Sequence, residues 1–474
     1  MQKPLKSLFI LSKLYIKVYC TEGCKIEFQL SFCYGLDMII SSIDLKDGKV
    51  VQLKNGKDLV LERNDADSLI SDFDLYGEVA VIDLDAAMGH FNDNGDTPNT
   101  ALLKSLLRKG NVRTGGGIKT VKRAKELISL GAEKVILGSA VWATAEEQKK
   151  GIFLNVPFLE EMTAAIGKER IIISVDAING KIAVKGWTET ISVGLIEGAK
   201  AAEKYASELL FTCVEKEGCM QGTDFKMAEE LRKSVKCRVV IAGGVSTLNE
   251  VTDLEKLGCD VQLGMALYTG KIALKDAFIN CLNWAKVNQT SNGLVPVIAQ
   301  AVSGEVLMMG YANKEAFQKT FTEKKLTFWS RTRNVLWTKG EHSGHYLEVK
   351  KLRVDCDRDT VLATVIPHGG VCHTGAWTCF QTNADRPYSM DFLYEIISER
   401  FANPRPGSYT ATLTDERVRE KIMEEAEELT DEAETREDVI WEFADLFYFL
   451  SVLMYKEKVN WKDILDELDK RHKK

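Results

Sequence analysis

Two halves of one long segment of this chain repeat each other. Gly115-Gly116-Gly117-Ile118 is followed about twenty residues later by Leu137-Gly138-Ser139-Ala140, and Ala242-Gly243-Gly244-Val245 is followed at the same interval by Leu263-Gly264-Met265-Ala266. Asp44 and Asp176 are spaced in the same way, so three landmarks recur at one offset of about 130 residues. Short β-branched runs alternate with helical segments throughout. Val79-Ala80-Val81-Ile82, Lys134-Val135-Ile136-Leu137, Ile171-Ile172-Ile173-Ser174 and Val239-Val240-Ile241 read as buried parallel strands. Such alternation over about 250 residues predicts a (β/α)8 barrel assembled from two half-barrels, spanning residues 38–285.

Glycine lets backbone amides approach a phosphate closely, and helix N-termini favour anions. Gly116, Gly117 and Gly138 are the candidate phosphate cradle of one half; Gly243, Gly244 and Gly264 are that of the other. Two cradles across one barrel mouth suit a substrate with a phosphate at each end. Asp44 and Asp176, at C-terminal strand ends, are expected to face each other between them. Two carboxylates in different environments can divide acid and base roles. Alternatively, the glycines are plain βα turns and the aspartates are caps.

A second constellation lies further along. Three carboxylates alternate with a thiol in Asp355-Cys356-Asp357-Arg358-Asp359, and Cys372-His373-Thr374-Gly375 and Cys379 follow within about 25 residues. On an extended segment this alternation sends Asp355, Asp357 and Asp359 to one side and Cys356 to the other. Carboxylates are hard ligands that suit Mg²⁺. Thiolates are soft and suit Zn²⁺. Three protein ligands, Cys356, Cys372 and Cys379, leave a fourth position for water, the pattern of a catalytic zinc site. Such a zinc lowers the pKa of bound water to about 7. His373, beside a ligand thiolate, is a candidate general base. The alternative is an acidic surface turn with ordinary cysteines.

Residues 389–474 read as helices, with Ala426, Leu429, Ala433, Ile440, Phe443, Ala444, Phe447 and Leu450 at helical spacing. Glu424-Glu425-x-x-Glu428 puts Glu424 and Glu428 one turn apart, and Glu442-x-x-Asp445 repeats the device on the next helix. Antiparallel packing is expected to bring four carboxylates together, which is unfavourable without a cation. Mg²⁺ with a pyrophosphate-bearing substrate fits that need. A solvated acidic helix face explains Glu427 and Asp431, but less well Asp445 within an apolar run.

The 474 residues suggest about three domains. Polar junctions are expected at Trp284 to Gly293 and Gln381 to Pro387. A net charge of −7 argues against a nucleic-acid partner. No stretch of 18 apolar residues predicts a membrane span. The scattered cysteines suit free thiols or metal ligands in a reducing, cytoplasmic compartment. Residues 1–37 read as an extension outside the fold, because Met38 opens a strand-like run. Leu8-Phe9-Ile10-Leu11 is too soon interrupted by Lys13 and Lys17 for a signal peptide.

Three resemblances add to this. Residues 293–385 resemble phosphoribosyl-AMP cyclohydrolase of histidine biosynthesis, on Asp355-Cys356-Asp357-x-Asp359, Cys372-His373-Thr374-Gly375, Trp329-Ser330-Arg331, Leu336-Trp337-x-Lys339-Gly340 and Ser343-Gly344-His345. The resemblance implies a small, mainly β zinc domain of α+β type that opens the six-membered adenine ring with hydroxide. It implies Zn²⁺ on Cys356, Cys372 and Cys379 and Mg²⁺ on Asp355, Asp357 and Asp359. It also implies a homodimer in which Cys356 reaches the partner subunit's zinc. Residues 38–285 resemble the half-barrel family of the same pathway, on Ile43-Asp44-Leu45-x-Asp47-Gly48, Asp83-Leu84-Asp85-Ala86-Ala87-x-Gly89 and Gly186-Trp187-Thr188-Glu189-Thr190, which point to its ribotide isomerase. That implies an Amadori rearrangement with Asp44 as base, Asp176 as acid and Thr212 touching substrate. Cys213 and Glu217 depart from the acidic residues usual after strand six, and Ser41-Ser42 stands where Pro-Ala is common. Residues 389–474 resemble the all-α phosphoribosyl-ATP pyrophosphohydrolase, on Ser408-Tyr409-Thr410, Lys421, Glu424-Glu425-Ala426-x-Glu428 and Glu442-x-x-Asp445. That implies Mg²⁺ held by Glu424, Glu425, Glu428, Glu442 and Asp445. The expectation is a three-domain enzyme acting on small phosphoribosyl nucleotides in successive steps. Its alternative is a two-step enzyme with a non-catalytic barrel scaffold.

Overall fold

The computed structural model describes residues 15–19, 25–29, 39–381, 386 and 388–472. The first half is a closed barrel of eight parallel strands: β1 (Ile39–Lys46), β2 (Val79–Asp83), β3 (Val112–Gly115), β4 (Lys134–Leu137), β5 (Ile171–Ser174), β6 (Glu208–Thr212), β7 (Arg238–Ala242) and β8 (Asp260–Leu263). Each pairs with the next, and β8 returns to β1 through Val261 opposite Ile39. The four runs read as strands from their β-branched content fall within β2, β4, β5 and β7.

The period of two along each strand explains how the mouth is furnished. Ile40, Ala80, Ile136, Ile172, Leu210 and Val240 pack together inside the barrel. Two and four residues beyond Ile40 come Ser42 and Asp44, and beyond Ile172 come Ser174 and Asp176; all four line the mouth. Ile39, Ile43 and Leu45 alternate with them and join the outer core beneath the helices. The floor is closed by ions. Arg113 is buried and lies 2.8 Å from Glu208; Lys134 lies 3.1 Å from Glu78, and Arg238 lies 3.1 Å from Glu208 and also pairs with Asp260.

The barrel's later helices include α1 (Leu248–Lys256), α2 (Leu274–Cys281) and α3 (Trp284–Ser291). The expected polar junction after Trp284 is therefore a helix. Asn283 caps it by accepting from the Lys286 amide, Val287 is its buried anchor, and the Trp284 indole donates to the Ile279 carbonyl at 2.7 Å. Its polar residues are the outward face of a short packed helix rather than a linker.

The middle unit is a mixed four-stranded sheet of β9 (Val295–Ala301), β10 (Val306–Ala312), β13 (Leu347–Val354) and β14 (Val361–Pro367) in the order β10-β9-β14-β13. A hairpin of β11 (Thr327–Ser330) and β12 (Val335–Thr338) and helix α4 (Lys314–Glu323) complete it. It packs firmly on the barrel. Tyr76 stacks on Phe321 at 4.7 Å, Phe278 meets Phe321 edge-on at 5.3 Å, and the Leu352 amide donates to the Leu75 carbonyl at 3.0 Å.

The last unit is helical: α5 (Met390–Ala402), α6 (Asp415–Glu427), α7 (Arg436–Lys456) and α8 (Trp461–His472), with Leu393, Ile397, Val418, Phe449 and Val452 in its core. Most of the second junction lies outside the described residues, but Arg386 anchors it, bonding Glu305 at 3.0 Å and pairing with Glu395. Most of residues 1–37 also lies outside them; Tyr15–Tyr19 and Lys25–Gln29 form an antiparallel ribbon. Among the described residues, no helix is long and apolar enough to cross a membrane.

Candidate functional sites

The barrel mouth is a cavity of about 230 Å³ lined by residues from both halves. Gly116, Gly117, Gly138, Gly243, Gly244, Gly264 and Thr212 all border it, with Asp44 and Asp176 between the two glycine sets. The backbone repeats as the sequence does: Gly138 has φ −110, ψ −111, and Gly264 has φ −119, ψ −99. At Gly116, with φ +113, a Cβ would stand 2.1 Å from the Asp83 carbonyl oxygen, so only glycine fits.

The acids of this mouth are walled in by the barrel. Burial pushes the Asp44 carboxyl up to about 6, against a hydrogen bond from the Ser42 hydroxyl at 3.0 Å. Burial also raises Asp176, although the Trp187 indole donates to it at 2.7 Å and the Thr212 amide at 3.1 Å. Thr212 thus orients Asp176 as well as lining the cavity. A third acid joins them. Glu217 is pushed up to about 8, first by burial and then by the charges of Asp44 and Asp176. The departure read at this position is therefore no loss of acidity: the loop after β6 carries Glu217 back over the mouth. Cys213 contributes nothing similar, since burial raises its thiol to about 11 and Glu215 receives its weak hydrogen bond at 3.8 Å.

In the middle unit, Asp355, Asp357 and Asp359 converge, with one oxygen of each within 4.8 Å of the others. They do so by a different geometry from the extended alternation expected. Residues 355–359 form a turn between β13 and β14 in which Arg358 adopts φ +64 and its amide donates to the Asp355 carbonyl at 3.2 Å. The Asp355 carboxylate accepts from the Asp359 and Thr360 amides at 3.0 and 3.1 Å, which ties the turn shut. Lys286 pairs with Asp357 and lies 2.8 Å from Asp359.

Cys372 and Cys379 lie near enough that each thiol influences the other. The Thr374 hydroxyl donates to the Cys372 sulfur at 3.1 Å and holds its thiol below the usual range, while burial raises Cys379. His373 is exposed, its Nδ1 3.7 Å from the Cys372 sulfur. Cys356 is exposed on the aspartate turn, and among the described residues no group of three close ligands unites it with the other two thiols. Lys339, named in the sequence only as part of a resemblance motif and given no role there, is buried; burial lowers its ammonium, against the charges of Cys379 and Cys372. A surface pocket beside this unit gathers Tyr311, Trp329, Arg331, Arg333 and Trp337, with the Arg331 guanidinium 3.9 Å from the Tyr311 ring centre.

In the helical unit the converging set is Glu425, Glu428 and Glu442, again within 4.8 Å. Desolvation and the neighbouring Glu428 raise Glu442, with Glu425 and Asp445 adding their charge. Glu424 turns away, 2.7 Å from Lys421 and 3.7 Å from Arg417. Both glutamates lie within one turn of Glu428, and Glu425 is the one buried, on the side that meets Glu442 of α7.

Comparison with known proteins agrees with this division. Residues 38–273 match the family described as histidine biosynthesis protein, residues 308–381 that of phosphoribosyl-AMP cyclohydrolase, and residues 390–472 that of phosphoribosyl-ATP pyrophosphohydrolase. The histidine biosynthesis bifunctional protein HisIE of Pasteurella multocida is 43% identical over 204 residues, covering 41% of this chain and 99% of that protein. Its namesake in Bacillus subtilis is 44% identical over 193 residues, covering 38% of this chain and 92% of that protein. The chain therefore belongs to the histidine biosynthesis proteins, and joins a barrel of that family to phosphoribosyl-AMP cyclohydrolase and phosphoribosyl-ATP pyrophosphohydrolase domains.

Proposed function

We propose that the three units act in sequence: the helical unit removes pyrophosphate from phosphoribosyl-ATP, the middle unit opens the adenine ring of phosphoribosyl-AMP, and the barrel isomerises the resulting aminoaldose to the aminoketose. The observation that carries the isomerase step is the set of three enclosed acids between two backbone-matched glycine turns. A substrate with a phosphate at each end is held at Gly116, Gly117 and Gly138 on one side and Gly243, Gly244 and Gly264 on the other. Asp44, raised only to about 6, is mostly ionised at neutral pH and takes the proton from the sugar C2. Asp176, fixed by Trp187 and Thr212, gives a proton to the ring oxygen. Glu217, raised to about 8, stays protonated at neutral pH and keeps a donor between the two aspartates.

In the middle unit, Cys372 and Cys379 suit a soft ion, and exposed Cys356 is free to complete the set from a second copy of the chain. The proposal is therefore a homodimer with Zn²⁺ on Cys356, Cys372 and Cys379. Bound there, Zn²⁺ supplies Lewis acidity that lowers the pKa of a water to about 7. Lys339 contributes positive charge beside the thiolates, and His373 is placed to take up a proton. Trp329, Trp337 and Tyr311 offer faces for a purine, and Arg331 and Arg333 offer charge for a phosphate. Asp355, Asp357 and Asp359 are assigned to Mg²⁺. In the helical unit Glu425, Glu428, Glu442 and Asp445 are assigned to the Mg²⁺ that accompanies the triphosphate, with Lys421 steadying Glu425 at 2.7 Å.

Supplying each substrate separately to the full chain tests the sequence of steps. Three turnovers are expected. Cys372→Ser should lose bound zinc and ring opening and let phosphoribosyl-AMP accumulate. Full ring opening by a zinc-free Cys372→Ser protein would refute the zinc assignment. A parent protein that neither binds nor converts the aminoaldose would leave a two-step enzyme with a barrel scaffold.

A further inference from the structure

The acidic turn of the middle unit is not held by its own sheet alone. Arg358, at its apex, points a guanidinium back to the barrel, 3.5 Å from the buried carboxylate of Glu255 on α1. The Arg358 carbonyl accepts from the Asn283 amide at 2.7 Å, and the Asn283 side chain donates to the Asp357 carbonyl at 3.4 Å. Asn283 is also the N-cap of α3, so one residue begins that helix and pins the turn. Three residues further on, Lys286 reaches Asp357 and Asp359. Glu255, Asn283 and Lys286 all precede the middle unit in the chain, and Glu255 lies within the barrel proper.

This arrangement meets a physical need. Arg358 is a non-glycine residue in the left-handed region, a conformation that persists only where the surroundings hold it. Three carboxylates crowded within 4.8 Å repel each other, so the turn opens unless its backbone is fixed. The apex carbonyl, the apex side chain and two of the carboxylates are each fixed by a group from the barrel side.

We propose that the barrel is a positioning element for the ring-opening reaction: Glu255 and Asn283 clamp Arg358, and the clamp sets the convergence of Asp355, Asp357 and Asp359 for a divalent cation. This rests on reading that turn as the Mg²⁺ site of the cyclohydrolase unit. Glu255 is a positioning residue, since it acts through Arg358 and touches none of Asp355, Asp357, Asp359, Cys356, Cys372 or Cys379; its other side-chain partner is Cys281. The barrel thereby serves the middle unit whether or not it has turnover of its own.

The test uses the full chain and Mn²⁺ alone as a probe of the turn. Glu255→Gln removes the carboxyl that faces Arg358 with little change in shape. Arg358→Gly keeps the left-handed turn and removes the guanidinium. Each is expected to weaken Mn²⁺ binding by about tenfold and to lower the ring-opening kcat by a similar factor. KM for phosphoribosyl-AMP should stay within about twofold, because substrate groups are untouched. The double variant should lose less than the product of the two single losses, since the Glu255–Arg358 pair is common to both. Pyrophosphate release from phosphoribosyl-ATP should be unchanged. Parental Mn²⁺ binding and ring opening in Glu255→Gln would overturn the clamp. So would an equal loss of all activities, which would mark Glu255 as a stability residue. Asp357→Asn in the same assay separates the two layers. If it loses Mn²⁺ while Glu255→Gln does not, the metal reading stands and the clamp falls; if it binds Mn²⁺ like the parent, both fall.

Discussion

The two ends of the barrel enclose acids in opposite ways. At the floor, burial works to raise Glu208 but is outweighed by Arg113, Arg238 and Lys134, which hold it well below the usual carboxylate range. At the mouth, burial is the largest influence on Asp44, Asp176 and Glu217, and all three are raised. Asp260 marks the boundary between these regimes: it pairs with Arg238, yet burial still leaves it on the raised side. The same residue types are thus held ionised where cations crowd them and pushed toward the neutral form where burial dominates. Within one closed sheet, the strand starts carry the ion network and the strand ends carry the raised acids.

That contrast breaks most visibly at Asp44. Asp44→Asn keeps the shape and removes the ionisable group. Isomerase turnover is expected to fall by about 10²–10⁴-fold, with aminoaldose binding and thermal stability near parental values. The same substitution at the floor should do the reverse. Glu208→Gln removes the carboxylate that Arg113, Lys134 and Arg238 share and leaves Arg113 with Glu78 alone; removing one member of a buried ion pair costs about 3–5 kcal/mol. Denaturation midpoints should drop accordingly, while turnover per folded molecule holds. A floor variant that stays stable but loses turnover would erase the distinction.

The helical unit offers a finer version of the comparison. Glu425 is buried in the converging set, whereas Glu424 shares Lys421 with it and turns toward Arg417. Glu425→Gln should therefore stop pyrophosphate release, whereas Glu424→Gln should leave most of it. Comparable losses from both would mean that burial against α7 does not decide which glutamate meets the cation.

These adjacent glutamates also mark where the sequence stops being readable. The barrel announces itself through repeated glycines and β-branched runs, because strand period and βα turns are local properties. Asp44 and Asp176 reach the mouth for the same local reason, being four residues beyond Ile40 and Ile172 on one face of their strands. Glu217 was harder to place. It sits in a loop without periodicity, and only the fold returns it to the mouth. The choice between Glu424 and Glu425 turns on which of them packing against α7 buries, which helical spacing alone does not reveal. Helix α3 hides behind a polar surface, with Val287 as its one buried residue. The Glu255–Arg358 ion pair joins residues far apart in the chain, which no spacing rule connects.

The smallest expected effect is also the most specific to the mouth. If Asp44 is the base, isomerase kcat/KM should rise with pH through about 6, as its carboxyl, raised by burial, ionises. If Glu217 must stay protonated, activity should fall again through about 8, where its carboxyl loses its proton against burial and two neighbouring charges. The two limbs belong to the coupled set of three acids, and each changes rate by about tenfold per pH unit beyond its midpoint. Glutamine at position 217 keeps a hydrogen-bond donor and cannot ionise. Glu217→Gln should therefore retain turnover at neutral pH and extend the plateau above pH 8, with the acid limb unmoved. If turnover collapses at every pH, Glu217 itself delivers the proton and Asp176 is not the acid. If the alkaline limb persists unchanged, neither role belongs to Glu217, and the fall must be traced to Asp176 or to the substrate.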